Sequence, residues 1–173
     1  MQTTTKIAVL SGFIFLIPLN IYSIGGGLGS GIQWALVKYQ CTTFGNTFFS
    51  VIQDIDYVLT GIIHGRSALS LVLWSAGSGI LLVITILAAL FMIEEKQEIR
   101  RLFGIITILV GFLYLLSCMF QYGPTLSGPA GFCIPVGVPL IWAIGFCIYT
   151  DFLRINNKKE PGENEDNLLE NEN

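Results

Sequence analysis

The chain has 173 residues, of which 53% are hydrophobic and only 12% are charged. A soluble domain usually carries about 25% charged residues, so this composition excludes a soluble protein with an ordinary polar surface. The net charge is −3, and the acidic residues collect near the C-terminus. Because the sequence offers no basic face, a nucleic-acid-binding protein is excluded as well.

Four apolar stretches predict the fold class. They span residues 7–24, 68–93, 102–122 and 134–150. A helix needs about 20 apolar residues to cross the hydrocarbon core of a bilayer, and the second stretch contains no charged residue. A soluble helix would keep one polar face. We therefore predict an all-α integral membrane protein whose residues 1–153 form a four-transmembrane-helix bundle in the lipid bilayer.

The basic residues predict the topology of this bundle. If the N-terminus is cytoplasmic, the cytoplasmic segments hold Lys6, Lys96, Arg100, Arg101, Arg154, Lys158 and Lys159, and the outer segments hold Lys38 and Arg66. Positive charge concentrates on the cytoplasmic side of membrane proteins, so both termini of this multi-pass cell-membrane protein are expected in the cytoplasm. A cleaved signal peptide ending near Ser23 is the alternative for the first stretch.

The segment between the first two stretches, residues 25–66, is predicted to form a folded outer cap. Apolar residues recur at steps of three and four from Thr47 to His64, which predicts an amphipathic helix with Asn46 as its N-cap. Because this helix contains acidic residues, it should lie at the extracytoplasmic interface of the membrane. Residues 30–40 fit both a short helix and an alternating strand, and we favour the helix.

Two further segments are predicted to be non-helical. Residues 123–135, in the second outer segment, are rich in Gly and Pro, which is typical of a stiff loop. Residues 154–173 are rich in Asn and Glu and lack an apolar face. We expect this last segment to be a disordered, acidic cytoplasmic tail.

Two cysteines are candidates for a disulfide bond. Cys41 and Cys133 fall in the two outer segments, which lie on the oxidising side of the membrane in the predicted topology. A disulfide between them would join these segments, and the alternative is a pair of free, buried thiols. The other two cysteines, Cys118 and Cys147, lie inside the third and fourth stretches.

A weak polar cluster is predicted at the interface. It comprises Asp54, Asp56, His64 and Arg66. On a helix the side chains of Asp54 and Asp56 would point about 200° apart, so the two carboxylates could not share one metal ion. We therefore predict no catalytic residue, no metal site and no cofactor.

Four glycines are predicted to pack helices closely. Gly77 and Gly79 belong to a small-residue patch in the second stretch, and Gly104 and Gly111 lie on one face of the third. Small residues let membrane helices approach each other. The contact could lie within one chain or between this chain and another subunit.

The predicted layout, with a long first outer segment and a short second one between four membrane helices, resembles that of claudin-like proteins. The resemblance covers topology alone. The first outer segment contains Trp34 and Cys41 but lacks the Gly-Leu-Trp sequence and the second cysteine of the claudin pattern. We therefore assign no family on this basis.

Function is predicted from the outer cap and from the lack of recognisable chemistry. These features favour a structural or accessory subunit that assembles with itself or with a larger membrane complex. A small oligomeric channel or transporter is the alternative, with the Gly-rich and Pro-rich outer segments at its mouth. A membrane enzyme acting at the lipid interface is less favoured, because the polar cluster does not converge on one point.

Overall fold

The structure is a computed structural model that describes residue 9 and residues 12–90 and 97–150. The predicted tail, residues 154–173, lies outside the described residues. The strands are β1 (Asn20–Ile24), β2 (Gly29–Gln33), β3 (Val37–Thr42), β4 (Gly45–Ser50), β5 (Ser127–Gly128) and β6 (Gly131–Ile134). The helices are α1 (Val51–Leu59), α2 (Gly65–Leu90), α3 (Gln97–Tyr122) and α4 (Val138–Tyr149).

A six-stranded antiparallel sheet is the feature that the sequence analysis missed. The strands lie in the order β4-β3-β2-β1-β6-β5. The all-α fold class is therefore wrong, and so is the short helix favoured for residues 30–40, which form β2, a turn and most of β3. Each strand has only two to six residues, so local propensity alone did not identify them.

The prediction of four membrane-spanning helices is also wrong. Residues 20–24 were predicted to end the first span, and residues 131–134 to lie just before the fourth span and at its start. In the structure they pair with each other as β1 and β6. Helix α4 has 12 residues and is about 18 Å long, which is shorter than the ~30 Å hydrocarbon core. Within residues 12–90 and 97–150, two helical segments, Gly65–Leu90 and Arg101–Tyr122, are long and apolar enough to cross a membrane.

These two helices differ from the core helices of a soluble protein. Only 33% of the most apolar window of α2 and 39% of that of α3 is buried inside the protein. The side chains that remain exposed on both helices include many leucines, isoleucines and valines. An apolar surface of this extent requires a lipid or protein environment.

Helix α1 is shorter than the amphipathic helix predicted for Thr47–His64. Residues 47–50 belong to β4, and the true N-cap is Ser50, whose hydroxyl oxygen accepts from the backbone N–H of Gln53 at 3.3 Å. The side-chain oxygen of Gln53 accepts in return from the Ser50 backbone N–H at 2.9 Å. This capping box fixes the start of α1, so Asn46 is not the cap.

The turn between β2 and β3 anchors the sheet to the long helices. Ala35 is fully buried in this turn, in one apolar cluster with Trp74 of α2 and Tyr114 of α3. The indole N–H of Trp74 donates to the backbone oxygen of Trp34 at 3.1 Å, and the Ser78 hydroxyl donates to that of Ala35. The sheet is thereby held against one end of the helix pair.

The first apolar stretch contributes to this same core. Ile14 and Leu19 are fully buried in the cluster around Ala35. Cleavage of a signal peptide near Ser23 would cut through β1, which pairs with both β2 and β6. The structure therefore favours retention of this segment in the folded protein.

Candidate functional site: a polar cavity between the sheet and the helix ends

A cavity of about 230 Å³ lies between the sheet and the adjoining ends of α2 and α3. Strands β1, β2 and β3 supply one wall, and the first turns of α2 and the last turns of α3 supply the other. Its lining is Asn20, Tyr22, Ile24, Gln33, Lys38, Gln40, Ile63, Ser67, Ser70, Leu71, Ser117, Cys118, Gln121, Tyr122 and Ala130. Ten of these fifteen residues carry a polar nitrogen or oxygen in the side chain.

The cavity is polar because the sheet turns its polar side chains inward. Successive side chains of a strand point to opposite faces. Asn20 and Tyr22 of β1 are buried against the helices, whereas the intervening Ile21 is exposed. On β3, Lys38 and Gln40 line the cavity and Tyr39 is exposed between them. The usual arrangement, with apolar residues inside and polar residues outside, is thus reversed.

A reciprocal pair of serines joins the two helices at the cavity. The Ser70 hydroxyl donates to the Ser117 backbone oxygen at 2.8 Å, and the Ser117 hydroxyl donates to the Ser70 backbone oxygen at 2.8 Å. The two hydroxyl oxygens are 3.0 Å apart. These hydrogen bonds satisfy buried polar groups and hold α2 against α3.

An ion pair between Lys38 and Asp54 closes one side of the site. The Lys38 ammonium donates to one carboxylate oxygen of Asp54 at 2.8 Å and lies 2.6 Å from the other. Asp54 is only 1% exposed. Burial raises the pKa of Asp54 above its ordinary value, and the hydrogen bond and charge of Lys38 oppose this shift. The Lys38 ammonium also lies 5.0 Å from the centre of the Phe49 ring.

Three buried residues meet at the next part of the wall. The amide N–H of Asn20 donates to the Cys118 sulfur at 3.1 Å, and the Cys133 thiol donates to the same sulfur at 3.4 Å. Cys133 comes from β6 and Cys118 from α3. The hydrogen bond to Cys118, followed by burial, raises the pKa of Cys133.

The candidate Cys41–Cys133 disulfide is not formed in this structure. Both thiols are free, and β2 and β1 lie between β3, which carries Cys41, and β6. Neighbouring strands are about 4.8 Å apart, which puts these cysteines well beyond the span of a disulfide. Cys41 is exposed on the other side of the sheet, and Cys118 is the cysteine that Cys133 contacts.

A glycine makes room for the Tyr22 ring at the centre of the sheet. A Cβ at Gly31 would lie 2.4 Å from the Tyr22 ring and from its hydroxyl oxygen. Burial, with smaller contributions from Asp54 and Cys133, raises the pKa of Tyr22 to about 12. The Tyr22 hydroxyl therefore keeps its proton and can donate a hydrogen bond at neutral pH.

The predicted polar cluster is not brought together. Asp54 points inward to Lys38, whereas Asp56, His64 and Arg66 are exposed. In the part of the chain that the structure describes, no group of three His, Cys, Asp or Glu side chains could hold a metal ion.

Three of the four predicted packing glycines do pack helices together. A Cβ at Gly77 would lie 3.1 Å from the Tyr114 ring of α3. At Gly104 it would lie 2.7 Å from the backbone nitrogen of Tyr149 in α4, and at Gly111 it would lie 2.5 Å from the Trp142 indole nitrogen of α4. A Cβ at Gly79 would have no neighbour within 4 Å, so Gly79 makes no helix contact within the described part of this chain.

Sequence reasoning missed most of the cavity lining. Asn20 and Tyr22 were read as parts of a membrane helix, and Gln33 and Gln40 as parts of an ambiguous segment. The alternation of polar and apolar residues in β1 and β3 was the signal that could have revealed them. The pairing of β1 with β6, which are far apart in the chain, left no local signal.

Comparison with known proteins leaves the chain without an assigned family. No family model matches the sequence, and no curated protein matches it either. The resemblance in layout to claudin-like proteins therefore gains no support from sequence comparison.

Proposed function

We propose that this protein is a structural membrane protein that assembles with copies of itself through the apolar surface around β4 and α1. We call this surface the β4–α1 face. It comprises the exposed side chains of Phe44, Phe48, Ile52, Leu59 and Ile62. The observation that carries the proposal is the orientation of α1, which turns Asp54 inward and its most apolar side chains outward.

Helix α1 buries an acid and exposes its apolar residues. Asp54 is 1% exposed, whereas Ile52 is 79% and Leu59 is 80% exposed. Solvent-exposed helices normally show the opposite arrangement. Fully burying one such side chain is worth about 1.5–3 kcal/mol, so a partner that covers this helix would gain substantial free energy.

The apolar surface continues across the outer face of the sheet. The strand register aligns Phe48, Tyr39, Ile32, Ile21 and Ile134 in one row across five strands. Four of these side chains are exposed, and Ile32 lies in the middle of the row. The row ends with Phe48 at the free edge of the sheet, beside the rest of the β4–α1 face.

The edge strand itself favours a second copy of this chain as the partner. Strand β4 has six residues, Gly45–Ser50, with neither charge nor proline, and it lies at the end of the sheet. Edge strands usually carry charged residues or proline that prevent pairing with another chain. Antiparallel pairing of β4 with its own symmetry mate would satisfy the free backbone groups of both copies about a two-fold axis.

The proposal includes a membrane topology. Helices α2 and α3 cross the bilayer, and the basic residues Lys96, Arg100 and Arg101 between and within them mark the cytoplasmic side. The sheet, at the opposite ends of these helices, is then extracytoplasmic. All copies in one membrane would present β4 at the same height, which favours lateral assembly.

The test is the oligomeric state of the full chain in lipid nanodiscs and in native membranes. We expect a dimer or larger assembly by mass photometry and by amine cross-linking. Replacing Ile52 and Leu59 together by serine should convert it to a monomer, since these are the most exposed apolar side chains of α1. The control is Leu28→Ser, an exposed leucine on the turn between β1 and β2.

A wild-type protein that is monomeric in both settings would refute self-assembly. If the wild type instead migrates in native membranes with one different protein, and Ile52→Ser/Leu59→Ser releases it, the partner is another subunit rather than a second copy.

A further inference from the structure

We infer that the polar cavity binds a neutral polyhydroxyl group about the size of a monosaccharide. This inference is independent of the assembly proposed above, because the cavity faces the helices and the β4–α1 face lies on the outside. It depends on three properties of the lining: an unpartnered buried acceptor, a set of free polar side chains, and charge neutrality.

The unpartnered acceptor is the side-chain oxygen of Asn20. This residue is 6% exposed and lines the cavity. Its amide nitrogen donates to Cys118, but its oxygen has no hydrogen-bond partner among the described residues. Leaving a buried acceptor unsatisfied costs about 1–3 kcal/mol. A donor in the cavity, from a ligand or from water, is therefore required.

Further polar side chains around Asn20 are also free to bind. Six side chains of the lining form no hydrogen bond with any other residue in the described part of the chain. They are Tyr22, Gln33, Gln40, Ser67, Gln121 and Tyr122. Each amide both donates and accepts, and so does each hydroxyl. A ligand hydroxyl has this same dual character, so a molecule with several hydroxyls matches the wall better than one with acceptors alone.

The charge of the lining excludes an ionic ligand. The cationic side chain at the wall is Lys38, and its ammonium is already held by both oxygens of Asp54. This pair is neutral as a unit, and an anion would have to compete with a carboxylate at 2.6–2.8 Å. Burying an unpaired charge is costly, which leaves neutral polar molecules.

Size and shape narrow the ligand further. The volume of about 230 Å³ is below the ~300–1,000 Å³ of pockets for drug-sized ligands, which suits one sugar or cyclitol ring. The rings of Tyr22 and Tyr122 lie 6.3 Å apart and are tilted by 34°. Aromatic surfaces of this kind can cover the apolar C–H face of such a ring while the amides bind its hydroxyls.

The position of the cavity gives two sources for this chemistry. It lies at the ends of the two candidate membrane helices, so a glycolipid headgroup could enter from the membrane surface. A free sugar or polyol could enter from the aqueous side. The experiment therefore includes one arm for each source.

The full chain is placed in phosphatidylcholine nanodiscs, which avoids sugar-based detergents. In the first arm, free glucose, galactose and myo-inositol are each tested by saturation-transfer NMR. In the second arm, nanodiscs containing a monoglucosyl diacylglycerol are compared with pure phosphatidylcholine nanodiscs by native mass spectrometry. Phosphocholine and inositol phosphate serve as charged probes.

We expect at least one neutral probe to bind. Either Gln121→Leu or Asn20→Leu should lower the affinity for that probe about five- to tenfold. Asn46→Leu on exposed β4 is the matched control and should leave binding unchanged. Gln121→Leu removes a side chain that bonds to no described residue, so its fold is expected to stay intact, as checked by circular dichroism.

Binding only in the second arm would identify a lipid headgroup as the source, and binding in the first would identify a soluble sugar or polyol. Absence of any signal in both arms would mean that the cavity holds water only, and would overturn the inference. Preferential binding of a charged probe, or equal binding by Gln121→Leu, Asn20→Leu and wild type, would overturn it as well.

Discussion

Replacing Lys38 by methionine while keeping Asp54 should destabilise the protein markedly. The variant keeps most of the apolar stem of Lys38, so packing against Phe49 is largely preserved. What it removes is the ammonium that lies 2.8 Å and 2.6 Å from the two carboxylate oxygens of Asp54. Asp54 is 1% exposed, so its carboxylate would lose its counter-charge while remaining largely shielded from water.

Removing one member of a buried ion pair typically costs about 3–5 kcal/mol. Lys38 is 16% exposed, so some water reaches the pair, and we expect a loss near the lower end, about 3 kcal/mol. The double variant Lys38→Met/Asp54→Leu removes both charges and should recover most of this loss, because an apolar pair of similar volume is often as stable as a buried ion pair.

The loss should depend on pH. In Lys38→Met, burial acts on Asp54 without its counter-charge, so the pKa of Asp54 in the folded state lies above that in the unfolded state. Stability is then fully present below the unfolded pKa and is lost as pH rises through the folded pKa. The variant should therefore be closest to wild type at about pH 4 and most destabilised at about pH 7.

The assay is reversible unfolding of wild type and variants in bicelles, followed by tryptophan fluorescence at both pH values. Arg66→Met, at an exposed residue, controls for the loss of one positive charge. A cost below about 1 kcal/mol at neutral pH, in the range of surface ion pairs, would refute the reasoning. So would an equal cost at both pH values.

Three further predictions concern packing, redox chemistry and capping. Gly104→Val should lower the free energy of unfolding by about 1–3 kcal/mol, because its Cβ would lie 2.7 Å from the α4 backbone. The control Gly79→Val places its side chain in open space and should cost less than about 1 kcal/mol. Unfolding in bicelles measures both effects. Mild oxidation by a small disulfide reagent should join Cys118 to Cys133, whose sulfurs are 3.4 Å apart, and peptide mass spectrometry under non-reducing conditions would detect the bond. Ser50→Ala should cost about 1 kcal/mol through loss of the α1 cap, seen as faster hydrogen exchange in α1.

Each of these has a result that would contradict it. Equal effects of the two glycine substitutions would mean that α3 and α4 do not pack as closely as described. Exclusive disulfide formation between other cysteines would place β6 away from α3. Unchanged exchange in Ser50→Ala would show that the capping box does not stabilise the helix.

The long apolar helices were predictable from sequence because their signal is local. Residues 68–93 and 102–122 contain almost continuous apolar residues, and within the described residues α2 covers 68–90 and α3 covers 102–122. The packing roles of Gly104 and Gly111 were predictable for the same reason, since small residues on one helix face are a local pattern.

The sheet was not predictable in this way because its strands are short and its polarity is reversed. Asn20–Ile24 follows a long apolar run directly, so hydropathy alone merged it with a helix. The sequence analysis placed this helix at the membrane interface because it contains acidic residues, and it did not predict that Asp54 is buried. The actual arrangement depends on the pairing of Lys38 with Asp54, 16 residues apart, and on β1 meeting β6.

The anchoring of the β2–β3 turn has a mechanical consequence. Trp74 and Ser78 of α2 hold the backbone oxygens of Trp34 and Ala35, and the two serines at the cavity tie α2 to α3. A lateral force on the edge strand β4 would therefore be transmitted through β3 and this turn to both helices. If copies are joined through β4, shear between neighbours would load both long apolar helices together and would not separate the strands of the sheet one by one.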